Sequence, residues 1–152
     1  MDVLRAEGKL VVLTIGNTLK SDDGVGPYIG KEMEPRLSVA GSIVTLNAGN
    51  KPEAFVGKVI ESKPAKVVII DAVHFGGKPG ETRIIKKEQL PAGAFDTHSI
   101  PLKMIAKMIE DESKAPVYIL GIQPKSVDLG EELSDEVKEA ADKIVECLYQ
   151  ND

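Results

Sequence analysis

Two adjacent aspartates, Asp22 and Asp23, lie in a turn between a predicted strand and a predicted helix. The apolar run at 10–15 predicts a buried strand, and the pattern that begins at Val25 predicts a helix. In an open α/β sheet, ligands bind in the crevice beyond the carboxyl ends of the strands. The positive end of a helix favours one carboxylate here, but it does not account for two. The pair is therefore a candidate functional site as well as a candidate turn.

Two further polar residues are expected at the same edge of the sheet. Asp71 ends the run 66–71, whose four consecutive β-branched residues predict a central parallel strand covered on both faces. His98 lies in a loop before a predicted helix. Two carboxylates and an imidazole that converge on open space would form a site for zinc, nickel, manganese or iron. Three protein ligands leave a coordination position for water or substrate, as a reactive site requires.

Each of these residues also has a purely structural interpretation. An aspartate at a strand end often forms a turn or caps a helix, and a loop histidine is more often solvated than bound to metal. His74, the only other histidine, is the weaker ligand candidate. The chain has no His-Glu-x-x-His or Cys-x-x-Cys pattern, which excludes standard zinc peptidases and zinc ribbons. It also lacks Gly-x-Gly-x-x-Gly, a phosphate loop and a Gly-x-Ser-x-Gly elbow.

The elements that must position these residues alternate between strand and helix. Strands are predicted at 10–15, 43–46, 66–71, 82–85 and 117–122, and helices at 25–37 and in the segments that begin at 52, 102 and 134. This alternation predicts a three-layer α/β/α sandwich around a mostly parallel sheet. No linker or repeat interrupts it, so we expect a single domain over residues 1–152.

The composition argues against several classes of function. A net charge of -5 is unfavourable for nucleic-acid binding. No apolar run approaches the roughly 18 residues of a membrane span, and the N-terminus lacks the pattern of a signal peptide. One cysteine, Cys147, cannot form an internal disulfide and fits a reducing cytoplasm. We therefore expect a cytoplasmic globular protein with no nucleic-acid or membrane partner.

Taken together, these motifs resemble the endopeptidases that mature nickel–iron hydrogenases by trimming the C-terminal tail of the large subunit. The similarity spans nearly the whole chain in the same order: Gly16-Asn17; Asp22-Asp23-Gly24-Val25-Gly26-Pro27; Val68-Ile69-Ile70-Asp71-Ala72 followed by Gly76, Pro79 and Gly80; and Thr97-His98-Ser99-Ile100-Pro101-Leu102. The segment 121–124, Gly-Ile-Gln-Pro, is similar to the branch that serves formate-hydrogenlyase-like hydrogenases. The resemblance implies a twisted five-stranded sheet between helices, in agreement with the five predicted strands.

The resemblance also implies the site and its partner. Asp23, Asp71 and His98 match the family's metal-contacting residues and are the expected catalytic and metal-binding residues. The expected cofactor is nickel supplied by the substrate, with other divalent metals as substitutes in vitro, because the family recognises nickel already inserted in the precursor. The expected partner is the large-subunit precursor of a hydrogenase, and we expect a monomer.

Two positions depart from the family pattern, and some roles stay open. Asn47 stands where relatives often carry an aspartate, and Ser21 replaces a glycine before the acidic pair. Asp22 is a further candidate for taking the proton of the attacking water, and the glycine-rich loop 76–80 is expected to let substrate backbone approach. Two other functions fit the same residues: a non-proteolytic nickel-sensing or precursor-binding chaperone, and a metal-dependent hydrolase of small molecules.

Overall fold

A five-stranded sheet forms the centre of the computed structural model, which describes residues 2–5, 7–34, 42–90 and 100–151. The strands are β1 (Leu10–Ile15), β2 (Ile43–Gly49), β3 (Lys66–Ala72), β4 (Thr82–Ile85) and β5 (Val117–Ile122), and their spatial order is β2-β1-β3-β5-β4. The first four strands in this order are parallel, and β4 pairs antiparallel with β5. The predicted mostly parallel sheet is confirmed.

Helices cover both faces of the sheet. They are α1 (Val25–Met33), α2 (Val56–Glu61), α3 (Leu102–Ser113) and α4 (Asp135–Asn151). The helices α1 and α4 pack together on one face, and α2 and α3 pack together on the other. The three-layer sandwich is therefore confirmed. No helix in the described part of the chain is both long and apolar enough to cross a membrane.

The alternation of side chains along the strands separates two apolar cores. In β1, Val11, Leu13 and Ile15 pack into the core beneath α2 and α3, whereas Leu10 and Val12 pack into the core beneath α1 and α4. The four residues 67–70 of β3 are completely buried. This strand is thus covered on both faces, as its continuous apolar sequence predicts.

Several predicted boundaries differ from the observed ones. β2 continues to Gly49 instead of ending at residue 46, because the backbone N–H of Gly16 donates to the carbonyl of Gly49 and prolongs the pairing with β1. β3 continues to Ala72, so Asp71 lies within the strand. The predicted end of α1 at residue 37 lies outside the described residues.

All four helices begin at the same end of the sheet as the carboxyl ends of the parallel strands. α1, α2 and α4 follow β1, β2 and β5, and α3 runs back to the start of β5. The loops at this end therefore lie side by side. We call the described residues 16–24, 47–55, 71–81 and 123–134 the carboxyl rim.

Candidate functional site

Asp23 and Asp71 are both buried at the carboxyl rim, each about 4% exposed. Asp23 lies in a short 3-10 turn, Ser21–Gly24, that leads into α1, and Asp71 lies near the end of β3. Because β1 and β3 are paired and the turn packs against β3, the fold brings these two acids to the same part of the rim. The convergence expected from their positions after neighbouring strands is thus observed for this pair.

The backbone after β1 orients the Asp23 carboxylate. The N–H of Asn17 donates to Asp23 Oδ2 over 3.0 Å. The chain folds back so closely that a Cβ on Gly16 would lie 2.0 Å from the carbonyl oxygen of Asp23. Only glycine fits at this position, because any side chain would push the turn away from the strand.

The Asp71 carboxylate is held in a similar way. The N–H of the next residue, Ala72, donates to Asp71 Oδ1 over 2.8 Å. Both candidate acids therefore have one carboxylate oxygen fixed by a backbone donor, and such bonds to a charged acceptor are the stronger kind of hydrogen bond. Fixed carboxylates are suited to bind a metal or a substrate with little reorganisation.

The third predicted site residue, His98, lies outside the described residues. Within the described part of the chain, no three His, Cys, Asp or Glu side chains are grouped closely enough to hold a metal ion. His74 is half-buried in the loop after β3. Of the predicted set Asp23, Asp71 and His98, the structure therefore describes only the two acids.

Asp22 serves the fold. Its buried carboxylate accepts four hydrogen bonds: from the backbone N–H groups of Lys125, Ser126 and Ser134 at 2.8, 3.2 and 2.7 Å, and from the Ser134 hydroxyl at 2.9 Å. Three of these bonds go to Oδ2 and one to Oδ1, so both oxygens are held by donors of the protein. Asp22 thus ties the loop after β5 and the start of α4 to the turn after β1.

Gln123 is a positioning residue that the sequence analysis missed. Its side chain is buried directly after β5, and its Oε1 accepts the backbone N–H groups of Phe75 and Gly77 over 2.8 and 3.2 Å. These bonds fix the loop that follows Asp71. The available signal was a polar residue at the carboxyl end of a buried strand, which is the same signal that identified Asp71.

The glycine-rich loop has two different parts. Gly76 has a φ of +80°, and a Cβ there would meet no atom within 4 Å, so this part of the loop is open to an approaching chain. Gly80 has a φ of +84°, but a Cβ there would lie 2.5 Å from the carbonyl oxygen of Glu136 in α4. The expectation of an open approach therefore applies to Gly76, whereas Gly80 allows close packing.

Asn47 contributes to packing at the end of β2. Its side-chain oxygen accepts the Thr14 hydroxyl over 3.1 Å, which joins β2 to β1. A Cβ on Gly30 of α1 would lie 2.8 Å from the Asn47 side chain. The amide therefore fills a tight space between α1 and the sheet.

Two clefts open at the carboxyl rim around the turn that carries Asp23. One, of about 370 Å³, is lined by residues 16–19, Pro27 and 47–50. The second, of about 460 Å³, includes Thr18, Ser21, Tyr28, Asn47 and Glu131 in its lining. Asn17, whose backbone holds Asp23, lines the first cleft, so a chain lying in this cleft would pass beside the candidate acid.

Two ionisable groups near the rim have distinctive environments. A hydrogen bond to Asp142 in α4 raises the pKa of Tyr28 to about 12, with burial as the next cause. Glu53, in the turn after β2, has one carboxylate oxygen, Oε2, that is buried and has no hydrogen-bond partner. It is the one such side-chain atom found in the described part of the chain.

The chain matches a known protein family over most of its length. The family described as HycI, hydrogenase maturation protease, matches residues 27–151. A putative hydrogenase maturation protease of Methanocaldococcus jannaschii is 36% identical, and the alignment covers 99% of this chain and 92% of that protein. The hydrogenase 3 maturation protease of Escherichia coli K12 is 32% identical over 92% of this chain and 86% of its own length.

A solved structure has the same fold. The crystal structure of the nickel–iron hydrogenase maturation protease HycI from Thermococcus kodakarensis superposes with a TM-score of 0.87 at 33% sequence identity. The superposition covers 99% of this chain and 96% of that one. The similarity therefore includes the strands, the helices and the order in which they are connected.

Proposed function

This chain belongs to the hydrogenase maturation protease family, and we propose that it removes the C-terminal extension of a nickel–iron hydrogenase large-subunit precursor after nickel insertion. The chain is an endopeptidase, as its relatives and structural neighbours are. One observation carries the proposal about its site. Two buried carboxylates, Asp23 and Asp71, are held by backbone donors at the rim, and Asn17, which holds Asp23, lines a cleft of about 370 Å³.

Nickel enters this proposal as part of the substrate. Asp23 and Asp71 supply carboxylate oxygens, and His98 supplies an imidazole nitrogen. A mixed oxygen and nitrogen donor set suits nickel among other first-row metals. Nickel bound in the precursor would complete its coordination at these residues and bring the scissile peptide bond to the rim, so that an unfinished precursor is not cleaved.

Peptide hydrolysis then requires two proton transfers. A base at the site takes a proton from the attacking water, and the nitrogen of the leaving peptide must receive one. Asp23, Asp71 and His98 are the proposed candidates for this base. Asp22 is not among them, because its carboxylate already accepts four hydrogen bonds from the loop after β5 and the start of α4.

We also propose that the enzyme acts as a monomer in the cytoplasm. The support for the compartment is that Cys147, the single cysteine, is free, since a reducing compartment maintains free thiols. The support for the partner is that the relatives are named for hydrogenase maturation.

Intact-mass analysis of a large-subunit precursor tests the proposal directly. We expect the nickel-loaded precursor to lose a short C-terminal peptide when this protein is added, and the nickel-free precursor to keep its mass. Cleavage of both forms would overturn the nickel requirement while leaving the protease assignment intact. Binding with unchanged mass would instead support the precursor-binding chaperone.

The two histidines provide a matched pair of variants for the same assay. His98→Ala is expected to abolish processing without unfolding the protein, because it removes the proposed nitrogen ligand. His74→Ala is the control, and it is expected to process the precursor normally. Normal processing by the His98 variant would contradict the proposed donor set.

A further inference from the structure

Five large apolar side chains of the described residues are exposed, and two of them lie together at the carboxyl rim. These two are Leu129, which is 88% exposed, and Leu19, which is 57% exposed. Isolated exposed leucines are common on protein surfaces. Leu19 and Leu129 come from distant parts of the chain, and it is the fold that brings them together.

A parallel β-bridge holds the two leucines next to each other. Lys20 is bridged to Gly130, with the N–H of Gly130 donating to the carbonyl of Leu19 over 3.0 Å and the N–H of Ser21 donating to the carbonyl of Gly130 over 2.7 Å. In this register Leu19 stands opposite Leu129. The bridge therefore brings the backbones of Leu19 and Leu129 side by side. Both side chains are exposed, and we call the apolar surface that they provide the ridge.

The backbone under this ridge is fixed by further hydrogen bonds. Asn17 Oδ1 accepts the N–H of Leu19 over 2.9 Å, and the Ser21 hydroxyl donates to the carbonyl of Asp128 over 2.7 Å. The same Asn17 donates its backbone N–H to Asp23. One short network therefore connects the ridge to the candidate acid, and the ridge is already ordered before any partner binds.

The position of the ridge identifies what covers it. Leu19 is also part of the wall of the 370 Å³ cleft beside Asn17. A folded partner that places a segment of its chain in this cleft brings its surface over the adjoining leucines. A short tail peptide alone would fill the cleft and would leave Leu129 in water.

We propose that Leu19 and Leu129 form a docking ridge for the folded body of the large-subunit precursor, which meets it with an apolar surface. This inference rests on the proposed function, because it takes the precursor as the partner. Burial of two exposed leucines removes apolar area from water. We expect this burial to increase mainly the affinity for the precursor. The proposed chemical step uses Asp23 and Asp71, so we expect the ridge to contribute to binding and not to this step.

The test is the double substitution Leu19→Ser with Leu129→Ser, compared with Ile84→Ser. Ile84 is an exposed apolar residue of β4, 40% exposed, and serves as the matched control. For the double variant we expect KM for the nickel-loaded precursor to rise about 10-fold or more, as hot-spot truncation typically does, with kcat unchanged. The Ile84 variant is expected to match the wild type. Thermal melting verifies that all variants fold.

A binding assay separates failure of this inference from failure of the proposed function. Precursor affinity is measured in an Asp71→Asn background, with and without the two leucine substitutions. Weaker binding by the double variant supports the ridge even if the wild type shows no cleavage. Cleavage by the wild type with an unchanged KM in the double variant would overturn the ridge and leave the protease intact. A wild type that neither binds nor cleaves would overturn both.

Sedimentation velocity tests whether a second copy of this chain, instead of the precursor, covers the ridge. If the wild type dimerises, the double variant is monomeric, and KM for the precursor stays the same, the ridge is a self-association surface and the proposal is wrong. A monomeric wild type together with a raised KM in the double variant supports precursor docking.

Discussion

Polar side chains have different environments at the carboxyl and amino ends of the parallel sheet. All buried polar side chains of the described residues lie at the carboxyl end: Thr14, Asp22, Asp23, Asp71 and Gln123. At the amino end, polar groups reach solvent. Lys9 donates to the carbonyl of Ser62 at the surface, and Lys66 donates to the carbonyls of Val3 and Arg5.

This difference shows where the fold tolerates an unfavourable arrangement. Burial of a carboxylate is unfavourable unless hydrogen bonds or a bound partner compensate. Asp22 is compensated by four donors and stabilises the rim. Asp23 and Asp71 are each oriented by a donor close to them in sequence, the N–H of Asn17 or of Ala72.

The largest expected effect is on activity, at the two oriented acids. Asp23→Asn and Asp71→Asn keep an oxygen that can accept the backbone hydrogen bond but remove the charge. Precursor processing, followed by intact mass, should fall by about 100-fold or more. The midpoint of urea unfolding should change little. A variant that processes normally would remove its residue from the proposed site.

The largest effect on stability is expected at Asp22. Asp22→Ala leaves three part-buried backbone N–H groups, those of Lys125, Ser126 and Ser134, without this acceptor. The free energy of unfolding should fall by about 3 kcal/mol in urea denaturation. If this variant kept its full stability and lost activity, Asp22 would belong with the chemical groups and the distinction drawn here would be wrong.

A smaller stability loss is expected where α1 rests on the end of β1. A Cβ on Gly26 would lie 2.1 Å from the carbonyl oxygen of Ile15, so Gly26→Ala must displace the helix. We expect about 2 kcal/mol of destabilisation.

Gly57 provides the matched control for that substitution. It lies in α2, and a Cβ there would meet no atom within 4 Å. Gly57→Ala should therefore stabilise the protein by about 0.5–1 kcal/mol, since alanine is the better helix former. Equal responses of the two glycines in thermal melting would contradict the close contact at Gly26.

The smallest effect is expected at the amino end. Burial lowers the pKa of Lys66 below its ordinary value of 10.5, and the charge of Asp2 opposes this shift. The folded state therefore releases the lysine proton at a lower pH than the unfolded state does. Between the lowered pKa and 10.5 the unfolded state binds more protons, so stability should rise with pH in that window.

Lys66→Met tests this by removing the titrating group. At neutral pH its unfolding free energy should differ from that of the wild type by no more than about 1 kcal/mol. Its stability should lack the rise that Lys66 contributes at alkaline pH. A loss as large as that expected for Asp22→Ala would mean that the two ends of the sheet do not differ as described.

The sequence by itself determined the layered fold and the candidate acids. Strand β3 was identifiable because four consecutive β-branched residues, 67–70, fit a strand buried on both faces. Asp71 and the pair at 22–23 were identifiable because polar residues near the carboxyl ends of parallel strands, or in the loops that follow them, lie at one rim. These signals are local, and the connectivity of a parallel sheet converts them into spatial proximity.

The tertiary structure alone decided what each rim residue does. Asp22 and Asp23 are neighbours in sequence, yet one accepts donors from residues 125, 126 and 134 and the other accepts a donor from residue 17. The pairing of Leu19 with Leu129 and the support that Gln123 gives to the loop after β3 have the same origin. Such contacts join segments up to 112 residues apart. No local pattern encodes them, because their geometry exists only once the strands have found their register.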